Sequence, residues 1–219
     1  MKIFLLILSV MGIFFLFPGC GGNGTFSGNK NTLSFFFAGE YIPTEGRIFF
    51  HDCTADTLYE LFLSGAVSGK VGRKYSEMNN GKGEVPVFCS FYGHFGKEQA
   101  GKDKVLVVDE WRGFNWTRHC SPTEFLARTF VSGKDTLLLR KDYSYTIIWR
   151  NNDEYEKETG EWGRIKSEQG VLSGNKGKLF FLINEGNISS ANNLVISLKN
   201  KAGVNFNFEP LPLDRKSVV

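Results

Sequence analysis

Cysteines and histidines are the residues of this chain that could carry nucleophilic or metal chemistry. Cys89 lies in the run Val-Pro-Val-Phe-Cys-Ser-Phe, and alternation along a strand places its side chain on the same face as Val87 and Phe91. A small thiol on an apolar face is typical of a protein core. A nucleophilic cysteine needs a base within reach, but alternation puts His94 on the opposite face. We therefore predict a core cysteine and no Cys/His catalytic pair.

A metal cluster could be imagined from His51, Cys53, His119 and Cys120. His51 and Cys53 point the same way on a strand, whereas the adjacent His119 and Cys120 point apart in extended chain. Structural zinc sites usually show Cys-x2–4-Cys or His-x3–5-His spacing, which is absent here. The sequence predicts no metal site and no cofactor.

The acidic pairs Asp109-Glu110 and Asp153-Glu154 fall near predicted strand ends or turns, where carboxylates are expected to be solvated. The sequence contains no P-loop, Gly-x-Ser-x-Gly or zincin motif. The chain is therefore not predicted to be an enzyme.

The first twenty residues have the pattern of an export signal. Lys2 precedes an apolar run over residues 3–17, which is shorter than the roughly 20 residues that span a bilayer, and Pro18-Gly19 follow. We predict a signal peptide over 1–19. The stretch ending in Cys20 resembles a bacterial lipobox, which implies that this thiol is lipidated and anchors the chain in membrane lipid. The Gly-rich residues 20–32 would then be a flexible tether.

The net charge limits the class of partner, and the number of cysteines bears on the redox state of the compartment. The net charge of +3 is too weak and too evenly spread for a nucleic-acid footprint, so no nucleic acid is expected as a partner. Export leads to a compartment where disulfides are allowed. If Cys20 is acylated, three cysteines remain, and they can form one bridge and leave one free thiol.

Residues 33–120 are predicted to form a first domain of five strands and one helix. The helix is indicated by a stripe that recurs every three or four residues, made of Val67, Val71, Tyr75 and Met78. The helix falls between the third and fourth strands, which is the order of an OB-fold. The predicted strands are Leu33–Ile42, Arg47–Asp52, Leu58–Leu63, Val85–Phe95 and Lys104–Trp111.

Residues 121–219 are predicted to form a second domain, with a boundary at Ser121-Pro122. Short, evenly spaced strands with hairpin turns indicate an up-and-down antiparallel sheet or small barrel. The predicted strands are Thr136–Leu139, Tyr143–Trp149, Lys157–Arg164, Lys178–Ile183, Asn193–Lys199 and Val204–Glu209. The fold class is therefore mainly β.

Trp111, Phe114 and Trp116 follow the fifth strand closely. Two interpretations stay open for them. They could pack at the junction between the domains, or they could form an exposed contact surface for a partner.

The first domain resembles the OB-type domain of the NlpE family of bacterial outer-membrane lipoproteins, which is linked to surface sensing and copper stress. The resemblance spans about residues 35–120. It rests on Gly39-Glu40-Tyr41, Phe50-His51-Asp52-Cys53-Thr54, Val85-Pro86-Val87, Tyr92-Gly93-His94-Phe95 and Cys120. It implies a disulfide between Cys53 and Cys120.

The second domain is similar to the other half of that family, through Asp135–Leu139, residues 141–145 and residues 159–162. The order of the halves is swapped relative to the family's better-known member. The family's Cys-x-x-Cys is missing from the corresponding residues 128–134.

The resemblance implies a lipid-anchored protein of the bacterial outer membrane that binds or senses, with another envelope protein as the expected partner. One alternative is a lipocalin-like carrier, whose second barrel would enclose a small apolar ligand. A filled barrel interior would favour the interaction role, and an aromatic cavity would favour the carrier. A copper or redox responder is the other alternative.

Overall fold

The computed structural model describes residues 33–81, 83–96, 104–121, 124–151, 154–185, 194–200 and 203–211. The predicted signal peptide, the predicted lipidation site Cys20 and the predicted tether lie outside these residues, as does Pro122. Leu33 begins the compact unit that contains all of the strands. The predicted mainly-β fold class is confirmed.

The first five strands close into a barrel in the order β1-β2-β3-β5-β4. The strand β3 pairs in parallel with β5, and the other pairs are antiparallel. The helix α1 lies between β3 and β4 in sequence, as the OB order predicts. The bounds are β1 Phe35–Thr44, β2 Arg47–Asp52, β3 Thr57–Leu63, α1 Gly65–Asn79, β4 Val87–Phe95 and β5 Val105–Asn115.

The remaining strands close into a second barrel, in which each strand pairs with the next along the chain and the last pairs with the first. This is an up-and-down barrel of eight antiparallel strands. The bounds are β6 Thr129–Ser132, β7 Asp135–Leu139, β8 Ser144–Asn151, β9 Glu154–Lys166, β10 Gln169–Gly174, β11 Gly177–Glu185, β12 Leu194–Lys199 and β13 Asn205–Pro210. Two of these strands, β6 and β10, were not predicted from the sequence.

The interior of the second barrel is filled by its own side chains. Every second residue of a strand faces inward, and the inward residues are large and apolar. Seven of them, from seven different strands, have no surface accessible to water: Phe130, Leu137, Ile147, Trp162, Leu172, Ile196 and Phe208. A residue without accessible surface cannot line a space that holds even one water molecule, so this part of the barrel is a packed core.

The two barrels share one apolar core at the place where β1 contacts β9. Tyr143 of the β7–β8 turn stacks on Trp162 of the second barrel, with ring centroids 4.6 Å apart. The same ring meets Phe37 and Phe95 of the first barrel at 5.7 and 5.3 Å. The ring of one buried tyrosine thus packs against both barrels within this shared core and holds them together.

Candidate functional site

The aromatic residues singled out from the sequence lie in the first barrel beside α1. Trp111 stacks on Phe91 at 5.9 Å and meets Phe114 edge-on at 4.9 Å. Trp116 stacks on Tyr75 of the helix at 6.1 Å. The ring partners of these residues all belong to the first barrel and its helix. Of the two interpretations, packing at the domain junction is therefore not what the rings show.

Between α1 and β5 runs a groove of about 450 Å³, which we call the α1–β5 groove. Its floor is made by Trp111 and Phe114, both half-buried, so their rings are within reach of a partner. Its wall comes from one face of the helix. The lining residues are Lys70, Arg73, Lys74, Glu77, Met78, Trp111, Arg112, Gly113 and Phe114.

The rim of the α1–β5 groove carries an excess of positive charge. Lys74 pairs with Glu77 at 3.7 Å, and Arg112 pairs with Glu110 at 2.7 Å. Lys70 and Arg73 contact no carboxylate among the described residues. Two free cations above an aromatic floor favour an acidic partner, because burying them against carboxylates would offset their desolvation.

Two indole N–H groups beside this groove lack an acceptor. The Nε1 atoms of Trp111 and Trp116 are buried and have no hydrogen-bond partner within the described part of the chain. A buried donor without a partner costs about 1–3 kcal/mol. Tryptophan is enriched at interfaces because its ring is apolar while its N–H seeks an acceptor, but these two nitrogens are buried, so only the exposed parts of the rings are open to a partner.

Cys53 and Cys120 form a disulfide with a Cα–Cα distance of 5.2 Å. The bridge joins the end of β2 to the segment that follows β5. Cys53 is buried and packs with Ala38 and Phe88 in a small cluster of its own. The bridge thereby fixes the segment that carries His119 against the first barrel.

The structure brings together three residues that the sequence spacing kept apart. His51 Nδ1 lies 3.7 Å from Oε2 of Glu40, and His119 Nδ1 lies 3.5 Å from Oε1 of the same carboxylate. Cys120 Sγ is 3.7 Å from His51 Nδ1, but this sulfur is bound in the disulfide. The sequence did not identify Glu40 as a partner of the histidines, because its position opposite His51 becomes apparent only with the β1–β2 register.

Cys89 lies fully buried in the core, and burial raises the pKa of its thiol well above the usual value. His94 hydrogen-bonds to Asp109 at 3.0 Å instead. Ser34 donates a hydrogen bond to the same carboxylate oxygen at 2.7 Å. Because the carboxylate stands between the hydroxyl and the imidazole, the serine has no base and the trio does not have the order of a catalytic triad.

A buried carboxylate lies at the junction of the barrels. Asp52 is inaccessible to water and accepts hydrogen bonds from the Tyr143 hydroxyl and from the backbone N–H of Thr54. Burial raises the pKa of this carboxyl, and both hydrogen bonds and the charge of Arg164 act against that rise. Arg164 in turn donates to the Thr54 hydroxyl at 3.0 Å. This network connects the barrels and is closed to solvent, so we assign it a structural role.

None of the helices in the described residues combines the length and apolar character that crossing a membrane requires. A scan against protein-family models finds no match, and neither does a search of curated proteins.

Among solved structures, the chain is similar to the crystal structure of the Cpx pathway activator NlpE from Escherichia coli, with 26% sequence identity and a TM-score of 0.34. The match covers 41% of this chain and 44% of that chain, so the chain spans less than half the length of the protein it matches.

Proposed function

We propose that this protein is a non-catalytic binding or sensing module of the bacterial cell envelope, which engages an acidic segment of another envelope protein through the α1–β5 groove. The carrier and the binding module make opposite demands on the second barrel. A carrier needs an enclosed cavity, commonly about 300–1,000 Å³, whereas a binding module needs only a stable scaffold.

The packed interior of the second barrel is the observation that carries this proposal. The rings of Phe130, Trp162 and Phe208 have no accessible surface. A ligand could enter among them only by displacing core side chains, at a cost of several kcal/mol. This supports a protein that acts through its outer surface.

The α1–β5 groove is the surface that best fits a partner. It combines a half-buried aromatic floor with Lys70 and Arg73, two cations that contact no carboxylate among the described residues. An acidic peptide segment would supply the negative charge that faces Lys70 and Arg73, and its apolar side chains would cover the aromatic floor.

An envelope location is supported by the leader-like residues 1–19, the lipobox-like stretch ending in Cys20 and the disulfide. A disulfide is typical of proteins outside the cytosol. Metabolic labelling with a fatty-acid analogue in a bacterial host tests the anchor: the label should enter the chain and be lost in Cys20→Ala. An unlabelled parent chain would contradict the anchored form of the proposal.

Photo-crosslinking in intact cells tests the groove. A photoreactive residue at Met78 should capture a discrete partner, and one at the exposed Leu182 of the second barrel should not. The variant Lys70→Glu/Arg73→Glu should lose most of the Met78 adduct, because it reverses the charge that faces the partner. The matched control is Lys178→Glu, which reverses an exposed charge on β11.

Three outcomes would contradict the binding module. Equal capture at Met78 and Leu182 would show that the groove is not the binding surface. Equal loss of the Met78 adduct in Lys70→Glu/Arg73→Glu and in Lys178→Glu would show that the positive charge of the groove does not attract the partner. A small apolar molecule retained by the extracted protein in native mass spectrometry would favour the carrier.

A further inference from the structure

The strand β5 has an edge that no other strand of the described residues covers over its second half. Its parallel ladder with β3 ends at the pair Leu63–Val108. β5 itself continues to Asn115, and along this part it pairs with β4 on its other side. The backbone N–H and C=O groups of such an edge can pair with another chain. We call residues 109–115 of this strand the β5 edge.

The helix α1, and not a further strand, lies beside the β5 edge. β3 ends at Leu63, and the helix begins at Gly65 and contacts β5. A helix satisfies its backbone hydrogen bonds internally, so it does not pair with the edge. The α1–β5 groove lies between them, and its wall runs from Lys70 to Met78, about 12 Å along the helix axis. An extended chain covers that distance in about four residues.

A β-bulge places two aromatic rings on the face of β5 that forms the floor of the groove. Trp111 pairs with Phe91 of β4, Phe114 pairs with Cys89, and Arg112 is the extra residue between them. Phe91 and Cys89 are two residues apart and therefore face the same way, so Trp111 and Phe114 also share a face. The floor is thus one apolar surface next to the β5 edge.

We propose that the α1–β5 groove binds its acidic partner segment as an extended strand, which pairs with the β5 edge through backbone hydrogen bonds. This inference rests on the proposed function of the groove and adds the conformation of the segment. Successive side chains of a strand point to opposite faces. Every second residue of the segment would cover Trp111 and Phe114, and the residues between them would face Lys70 and Arg73. The segment recognised is therefore one in which apolar and acidic residues alternate.

The positive charge of the groove also determines which strands it excludes. An open edge can pair with the same edge of a second copy. A symmetric pair of copies would place the same residues opposite each other, so Lys70 and Arg73 of both copies would repel. An acidic strand meets the same cations with opposite charge, so the groove distinguishes such a strand from its own copy.

Selection from a library of random linear peptides on the full-length oxidised chain tests the class of segment. Counter-selection on Lys70→Glu/Arg73→Glu removes peptides that bind elsewhere, and circular dichroism checks the fold of this variant, whose two substituted residues are exposed. The enriched peptides should carry an acidic residue at every second position. Acidic residues spaced by three or four would indicate a bound helix and would overturn the strand, while the proposed function would stand. A library without any peptide that distinguishes the parent from the variant would contradict the proposed function itself.

Methylation of the peptide backbone tests the main-chain pairing. One version of the best-binding peptide carries N-methyl groups at its odd positions, and a second carries them at its even positions. Alternate amides of a strand point to opposite edges, so only one version loses the N–H groups that face β5. That version should bind roughly tenfold or more weakly than the other. Equal affinity of the two versions would overturn the strand while leaving the acidic-peptide site in place.

Hydrogen exchange of the protein provides a second readout of the same pairing. Amides within the β5 edge that exchange fast in the free protein should slow when the unmethylated peptide is bound. The control region is β11, Gly177–Glu185, where exchange should not change. Bound peptide with unchanged exchange along the β5 edge would show that side chains alone hold the segment, and would overturn the inference.

Discussion

At the scale of single residues, Asp52 is a buried carboxyl group whose contacts come from both barrels. Its carboxylate is closed to water and is held by the Tyr143 hydroxyl, the Thr54 N–H and the charge of Arg164. The tyrosine lies in the second barrel and the aspartate in the first. A change at either residue therefore acts on both barrels.

Asp52→Asn should destabilise the protein by about 1–3 kcal/mol, because the amide leaves the buried Tyr143 hydroxyl with a poorer acceptor. Because the pKa of Asp52 is raised in the folded protein, the stability lost in this variant depends on pH. An unfolded aspartate has a pKa of about 3.9. As pH rises from there through the folded pKa, the unfolded chain releases its proton first, so the stability contributed by Asp52 falls.

Asparagine does not titrate, so the stability lost in Asp52→Asn should be larger near pH 4 than near pH 7. Urea unfolding of both proteins at the two pH values measures the difference. The control is Asp56→Asn. The lowered pKa of Asp56 makes its contribution full at neutral pH and smaller as pH falls, which is the opposite trend. The same trend for both variants would contradict the assignment.

At the scale of elements, hydrophobic periodicity predicted most of the first barrel. The helix was predicted from the stripe between Val67 and Met78 and occupies Gly65–Asn79, and β2 was predicted over its observed range. Alternation also placed Cys89 in the core. These predictions depend on short stretches of chain whose own pattern determines which face is buried.

The strands β6 and β10 were not predicted, because a local sequence pattern does not contain the pairing with neighbouring strands. In β10 only Val171 and Leu172 are apolar, and glycines stand on both sides of them. The segment is a strand because β9 and β11 pair with it along both edges. The Glu40–His51 contact was missed for a related reason, since it follows from strand register and not from spacing in the sequence.

The disulfide has the largest expected effect on stability of any single link between elements. It closes a loop with a sequence separation of 67 residues, and in the chain-entropy model such a closure stabilises by roughly 4 kcal/mol. The double variant Cys53→Ala/Cys120→Ala should lose about that much free energy of unfolding in urea.

Reduction of the parent protein is the matched comparison for that variant. The reduced parent should unfold at nearly the same urea concentration as the double variant, since both lack the closed loop. The double variant should not respond to reductant. A parent chain whose unfolding midpoint is unchanged by reductant would show that the bridge adds no stability.

At the scale of the whole molecule, the two barrels should behave as one cooperative unit. They share the ring of Tyr143, the buried Asp52 network and the contact in which Phe35 of β1 lies against Gly163 of β9. The Phe35 ring is 2.2 Å from the position that a Cβ on Gly163 would occupy, so the ring packs directly on the β9 backbone in space that only a glycine leaves open. Independent domains usually meet through smaller and more polar interfaces.

Cys89 offers a reporter for this coupling, because its thiol lies in the first barrel and is inaccessible to water. Leu172→Ala removes a fully buried side chain from the second barrel, at a cost of about 2–5 kcal/mol. If the barrels unfold together, this loss should increase labelling of Cys89 by a thiol reagent in moderate urea. Mass spectrometry of the peptide that carries Cys89 measures the labelling separately from any other thiol.

Leu106→Ala is the matched variant, since Leu106 is equally buried in the first barrel itself. When the effects on overall stability are matched, both variants should expose Cys89 to the same extent, because the same global opening reaches the thiol in each. Labelling that rises in Leu106→Ala and stays at the parent level in Leu172→Ala would mean that the barrels open separately. In that case Tyr143 and Asp52 would be contacts between two domains and not the centre of one folding unit.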